Sequence, residues 1–109
     1  MAPAKRIIKS FVGDDINIRV DVTVNGVPGI DLTGATIEAE WHTPTPITPM
    51  LDITGLSEAY FVVSLQSTDT GAQVPGKYEL MARLTSPIAN RITVLDCTID
   101  LDVQPITVP

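Results

Sequence analysis

One cysteine, one histidine and five rings (one Trp, two Tyr and two Phe) are all that this 109-residue chain has of those residue types. With Cys97 alone, no intrachain disulfide can form, so the fold must rest on packing rather than on the cross-links of small secreted scaffolds. With His42 alone, a Ser–His–Asp site would have to be built around that one residue. So few rings make a stacking platform for bases or sugars hard to assemble. Seven Lys and Arg face thirteen Asp and Glu, a formal charge of −6. That balance argues against a nucleic-acid backbone and against an anionic membrane surface as partners. No apolar run approaches the roughly 20 residues of a membrane span. After Lys5 and Arg6 only Ile7 and Ile8 precede Lys9, short of the roughly 7–15 apolar residues of a signal peptide. The expectation is synthesis in a cytoplasm without a signal peptide. Gly-rich phosphate loops and EF-hand spacing are also missing.

What is present is alternation with period two, the pattern of a strand with one buried face. In Asp15–Val24 the residues Ile16, Ile18, Val20, Val22 and Val24 face one way and Asn17, Arg19, Asp21 and Thr23 the other. Thr36–His42 repeats this with Ile37, Ala39 and Trp41 inside, and Lys77–Leu84 with Tyr78, Leu80, Ala82 and Leu84 inside. Tyr60–Leu65 carries Phe61, Val63 and Leu65 on the inner phase. In Arg91–Val103, Ile92 and Val94 are in phase with each other, and Cys97, Ile99, Leu101 and Val103 are one residue out. A one-residue slip flips every side chain, so a bulge or change of sheet is expected near Leu95-Asp96. Shorter strands fit Arg6–Val12 and Pro49–Ile53, which makes about seven.

The punctuation agrees. Asn25-Gly26 is a strong turn signal, and Pro28-Gly29, Gly34, Gly55, Pro75-Gly76 and Ser86-Pro87 supply further breaks. Pro44, Pro46 and Pro49 make residues 42–49 an extended connection. Ser67–Gln73 is the one candidate helical turn, with Ser67 or Thr68 as its N-cap. No internal repeat, long linker or second domain is read. The expectation is one domain over 1–109: an N-terminal arm at 1–6, a sandwich at 7–103 and a C-terminal arm at 104–109. Its class is all-β, an immunoglobulin-like β-sandwich of about seven antiparallel strands.

Three segments then resemble the immunoglobulin-like modules of tailed-phage structural proteins, typified by the N-terminal domain of upper baseplate proteins. They are Gly13-Asp14 ahead of a strand, Pro28-Gly29-Ile30-Asp31-Leu32-Thr33-Gly34-Ala35-Thr36, and Phe61–Leu65 followed by Thr68-Asp69-Thr70 and Pro75-Gly76-Lys77-Tyr78-Glu79-Leu80. Together they span about Ile8 to Ile106. Gly29 looks like an extra residue in the first turn, and Ser86-Pro87-Ile88-Ala89-Asn90 stands where the family commonly has an Asp-Gly pair. The resemblance implies the fold and a place in a phage virion. Each matched residue also has a physical reason. Asp31 can accept backbone N–H bonds at a corner. Gly34 supplies positive φ. Tyr78 can act as a corner tyrosine, with its ring in the core and its hydroxyl on loop backbone.

Sites for chemistry are scarce. His42 falls on the outward phase beside Trp41 and reads as a surface residue. Cys97 lies on the apolar phase with Ile99 and Leu101 and reads as buried. Asp96, Asp100 and Asp102 share a face, as do Glu38 and Glu40, but a straight strand spreads carboxylates too widely for Ca²⁺. Asp14-Asp15 is a slightly better-placed pair. The acidic stripes read as solvated, edge-protecting faces. No catalytic residues, metal or cofactor are expected, and the protein is not expected to be an enzyme.

Three features point to assembly. Both ends read as extended arms, Met1–Arg6 and Gln104–Pro109. Tyr60, Val62 and Met81 are apolar on phases that should be polar. The chain reads as a lone module. The expected contact residues are Lys5, Arg6, Tyr60, Val62, Met81, Pro105, Ile106 and Val108. Docking Ile106 and Val108 gains about 1.5–3 kcal/mol each before ordering costs, which counts when multiplied over a symmetric array. The leading expectation is a capsid decoration (cement) protein of a tailed bacteriophage. It would be present in many copies, with the major capsid protein or tail proteins as partners and the virion as its location. A tail, baseplate or head–tail adaptor is the alternative. A host-glycan adhesin using 42–49 and 86–90 as recognition loops is the second.

Overall fold

The computed structural model of the protein describes residues 6–24, 26–86 and 90–103. Alternating sequence becomes strand where expected: β1 Arg6–Phe11, β2 Ile16–Asp21, β5 Thr36–Trp41, β6 Met50–Asp52, β7 Tyr60–Leu65, β8 Gly76–Ser86 and β9 Asn90–Asp102. Two-residue strands β3 Thr23–Val24 and β4 Val27–Pro28 form a hairpin closed through Gly26, whose φ is 80°. A 3₁₀ turn, Leu56–Glu58, and one short helix, α1 Ser67–Gly71, complete the elements.

Two sheets face each other, ordered β1-β9-β8-β5 and β2-β7-β6. Their inner faces supply the core, with Trp41, Phe61, Val63, Leu80, Leu84, Cys97 and Ile99 fully buried. The chain is thus an all-β, immunoglobulin-like sandwich. Pairing direction differs from expectation. The strands are not all antiparallel, because β1 runs parallel to β9, with Ile8 beside Ile99 and Ser10 beside Leu101. Arg6, assigned by sequence to the arm, is the first residue of that pairing, opposite Cys97. The other arm residues lie outside the described residues, and so do Lys5, Pro105, Ile106 and Val108.

The phase slip in β9 is a bulge. Ala82 pairs with Leu95 but Arg83 pairs with Thr93, which leaves Val94 as the extra residue. It sits one position before the expected place, and it returns Cys97, Ile99 and Leu101 to the core. In β5, Trp41 is fully buried, whereas Ile37 and Ala39 are half-buried. The reason is position: β5 is the outer strand of its sheet, and among the described residues no strand covers its far side.

The helical turn forms, but its N-cap is Gln66 rather than Ser67 or Thr68. Asp69 Oδ2 accepts the Gln66 N–H at 3.1 Å, and Asp15 Oδ1 accepts the Ser67 N–H at 2.6 Å. Carboxylates at both places satisfy orphan donors of the first turn. Thr70, fully buried, ties the turn to the β1–β2 loop: its hydroxyl accepts the Gly13 N–H at 3.1 Å and donates to Asp14 O at 2.8 Å.

Candidate functional site

The sandwich offers two outer faces and two ends. The expected contact residues are divided between them. On the four-stranded sheet, Met81 stands between Asp96 and Glu40. The aspartate stripe is bracketed by cations, since Asp100 lies between Lys9 of β1 and Lys77 of β8 in register. Glu38 meets Arg83 at 3.4 Å, and Glu40 meets His42 Nε2 at 3.0 Å. These residues, with Met81 and Thr93, line a shallow depression of about 360 Å³. Side chains placed in this way make a solvated surface, and exposed pairs of this kind contribute little stability.

Tyr60 and Val62 lie together on the opposite face, that of the three-stranded sheet, so Met81 shares no surface with them. Val62 is flanked by Arg19 and Asp52. The Tyr60 ring lies under the Arg19 guanidinium, 3.9 Å from its centroid, and Arg19 Nε pairs with Asp21 at 3.1 Å. Below the ring is Gly55, where an added Cβ would come within 2.3 Å of Tyr60 Cζ. Half-buried Tyr60 therefore covers a glycine corner and carries an arginine, an intramolecular role that its phase in the sequence did not disclose.

At one end of the sandwich, two corners have the same construction. In Asp31-Leu32-Thr33-Gly34, Asp31 Oδ1 accepts the Thr33 N–H at 2.9 Å and the Thr33 hydroxyl at 2.6 Å. In Asp52-Ile53-Thr54-Gly55 the equivalent bonds measure 3.0 and 2.7 Å. The first corner is the one expected of Asp31. The four-residue pattern Asp-Leu/Ile-Thr-Gly thus occurs twice, and both copies make the same pair of Asp–Thr bonds. The Leu32 N–H donates to Leu56 O at 2.8 Å and clasps the first corner to the turn that follows the second. Hydrogen bonds from Thr33 and Thr54 hold the Asp31 and Asp52 carboxyls below the usual value. The two glycines serve different ends. Gly34 has a φ of 90°, closed to most side chains, while Gly55 has an ordinary φ of −90° and is small because Tyr60 lies on it.

At the other end, the Tyr78 hydroxyl donates to Val74 O at 2.7 Å, and its ring meets Trp41 edge-on with centroids 5.8 Å apart. This is the corner-tyrosine arrangement anticipated above. The 42–49 connection folds back on β5 through paired bonds between Trp41 and Ile47. With residues 72–78 it borders a groove of about 410 Å³ lined by Pro44, Ile47, Val74 and Tyr78. Of the second proposed recognition loop, 87–89 lie outside the described residues.

Cys97 is fully buried, and burial pushes its thiol up, against a smaller opposing pull from Arg6. The neutral thiol is the unreactive form. Asp15 of the Asp14-Asp15 pair is engaged in capping α1. Among the described residues no group of three or more His, Cys, Asp or Glu is placed to hold a metal ion.

No protein-family model matches the sequence, and no curated protein does. Among solved structures, the chain is similar to the Listeria monocytogenes internalin-like protein lmo2027, with a TM-score of 0.44 and 16% identity. The likeness covers 90% of this chain and 27% of that one, so the chain spans about a quarter of the length of that protein.

Proposed function

We propose that this chain is a non-enzymatic structural protein of a tailed-bacteriophage virion, a capsid decoration (cement) protein. Its arms, Met1–Lys5 with Arg6 at the root and Gln104–Pro109, reach neighbouring subunits of the capsid in a repeated, symmetric array. One observation carries the reading: the residues that resemble phage immunoglobulin-like modules are the ones this fold uses at its corners. Asp31 and Thr33 close one corner, Thr70 binds Gly13 and Asp14, and Tyr78 is bonded to Val74. Corner residues set where loops and chain ends leave a sandwich, so agreement there supports likeness of the module and not of its alternating strands alone. The resemblance in sequence suggests a virion module, and a fold shared by many functions does not choose the place within the virion. Arms of a few apolar residues act through many weak copies, and an icosahedral shell supplies them.

The test is cryo-electron microscopy of phage particles carrying the protein, with its density located. Density over the icosahedral shell supports decoration. Density confined to the tail or collar makes the chain an adaptor, and absence from particles rejects a virion role. Deleting Gln104–Pro109 should leave the melting temperature unchanged and abolish incorporation, and full incorporation would reject the arm mechanism.

A further inference from the structure

The two sides of the sandwich are unlike. On the β1–β2 side the inward residues Ile16, Ile18 and Val20 are only 5–6% exposed, so the seam between sheets is shut. On the β5–β6 side, Ile37, Ala39 and Leu51 also point inward, opposite the fully buried Leu84, Ala82 and Val63, yet they remain half-buried. This open seam runs on to Ile53, 49% exposed, which with Ala35 and Leu56 borders a cavity of about 230 Å³.

Backbone groups line the same opening. Trp41 exchanges bonds with Ile47 on the outer side, while the His42 N–H turns inward to Glu79 O of β8. Successive residues of a strand present their N–H and C=O to opposite sides. Ile37 and Ala39 therefore present theirs outward, where among the described residues no strand lies beyond β5. The β2 edge is different. Val22 bonds inward to Ala59 O, so the outward positions are Asn17, Arg19 and Asp21, and the Arg19–Asp21 ion pair lies along them. On the β2 and β1 edges charged residues stand at outward-bonding positions, Arg19 and Asp21 on β2 and Lys9 on β1, which discourages strand addition, whereas on β5 those positions hold the apolar Ile37 and Ala39.

The side chains beside the free β5 groups are Glu38 and Glu40, 54% and 57% exposed on the outer face. Two copies of this edge laid together would set those carboxylates against each other, and like charges facing across strands are destabilising. An incoming strand with Lys or Arg on its outer phase would meet them favourably, and apolar residues on its inner phase would fill the seam. We propose that the β5 edge binds an extended segment of a partner protein in which basic and apolar side chains alternate, added as a further strand of the β1-β9-β8-β5 sheet. Main-chain bonds to Ile37 and Ala39 give the affinity, and Glu38 and Glu40 give the preference. The site is independent of the protein's place in any virion.

The probe is the blocked hexapeptide Lys-Val-Lys-Val-Lys-Val, with Glu-Val-Glu-Val-Glu-Val as its counterpart, added to the full chain while amide hydrogen exchange is followed by NMR. The Lys peptide should slow exchange of the Ile37 and Ala39 amides by roughly tenfold or more. It should leave Arg19 and Asp21 unchanged, and the Glu peptide should protect neither pair. The double variant Glu38→Lys, Glu40→Lys, altered only at exposed positions and checked by its melting curve, should reverse the preference. Equal protection by both peptides, protection at another edge, or none at all would overturn the proposal. Protection that grows with protein concentration without peptide would also overturn it, by assigning the edge to a second copy, and so would concentration-independent protection lost on deleting Gln104–Pro109.

Discussion

Adding one methyl group at Gly55 tests the reading of Tyr60 as a lid rather than an anchor. At a φ of −90° the backbone of Gly55 accepts alanine, so any cost comes from space. The new Cβ would lie 2.3, 2.4 and 2.6 Å from Cζ, Cε2 and Cε1 of Tyr60. Carbon atoms rest about 3.5–4.0 Å apart, so the ring must retreat by more than an ångström. It cannot do so freely, because the Arg19 guanidinium sits 3.9 Å above it and the Tyr60 N–H is bonded to Gly55 O at 3.1 Å. Overpacking of this kind costs about 1–3 kcal/mol, and the displaced cation–π contact adds about 0.5–1 kcal/mol. Gly55→Ala should therefore destabilise the domain by about 1.5–4 kcal/mol, a fall in Tm of roughly 4 °C for each kcal/mol. Urea denaturation followed by the fluorescence of Trp41 measures it. In a Tyr60→Ala background the same substitution should cost under about 0.5 kcal/mol, since the obstacle is gone. An unchanged midpoint for the single variant, or an equal loss in both backgrounds, would refute the contact.

Three further outcomes are expected. Trp41→Ala removes a fully buried indole between the sheets and should cost about 3–5 kcal/mol, and a calorimetric melt with little change would remove Trp41 from the centre of the core. Thr70→Val keeps the volume but deletes the hydroxyl between Gly13 N–H and Asp14 O, so chemical denaturation should show a loss of about 1–3 kcal/mol, and no loss would mean the helical turn is not pinned there. Asp31 and Asp52 have folded-state pKa values depressed below 3.8; the stability they add is in full above that value and is lost as pH falls through the lower folded value. The fall in Tm below pH 3.8 should therefore be shallower in Asp31→Asn, Asp52→Asn than in the unaltered protein, and identical acid limbs would show that the corners do not hold ionised carboxylates.

Much of the fold was legible because burial imposes a period. Ile16, Ile18 and Val20 alternate because one side of β2 is core, and a change of phase in β9 could be seen because Val94 and Cys97 cannot share a face without an extra residue. Pairing direction leaves no such trace. Ile8 and Ser10 alternate equally well beside a parallel or an antiparallel neighbour, so the parallel run of β1 along β9 was not readable. Strand order is just as silent, and Ile37 and Ala39 read as core although their strand is outermost.

The same silence governs the surface. An apolar residue on a polar phase reports that something covers it, and the sequence cannot say whether the cover belongs to this chain or to another. For Tyr60 the neighbours are internal, with Gly55 beneath and Arg19 above, and Gly55 itself looked like an ordinary turn glycine. The repeated Asp-Leu/Ile-Thr-Gly corner shows the converse. Both corners make the same Asp–Thr bonds, yet Leu32 is 1% exposed and Ile53 is 49% exposed. Leu32 is clasped by Leu56, whereas Ile53 stands at the end of the open β5–β6 seam. A hydrophobic residue at a corner that has no local need of one is better explained by what the seam receives than by the corner itself. That makes Ile53→Ser a discriminating change. The corner bonds of Asp52 and Thr54 are made by their own groups and should survive it, so the melting temperature should stay nearly constant while uptake of the Lys-Val hexapeptide weakens. A large loss of stability with uptake intact would instead place Ile53 in the core and leave the seam without its apolar end.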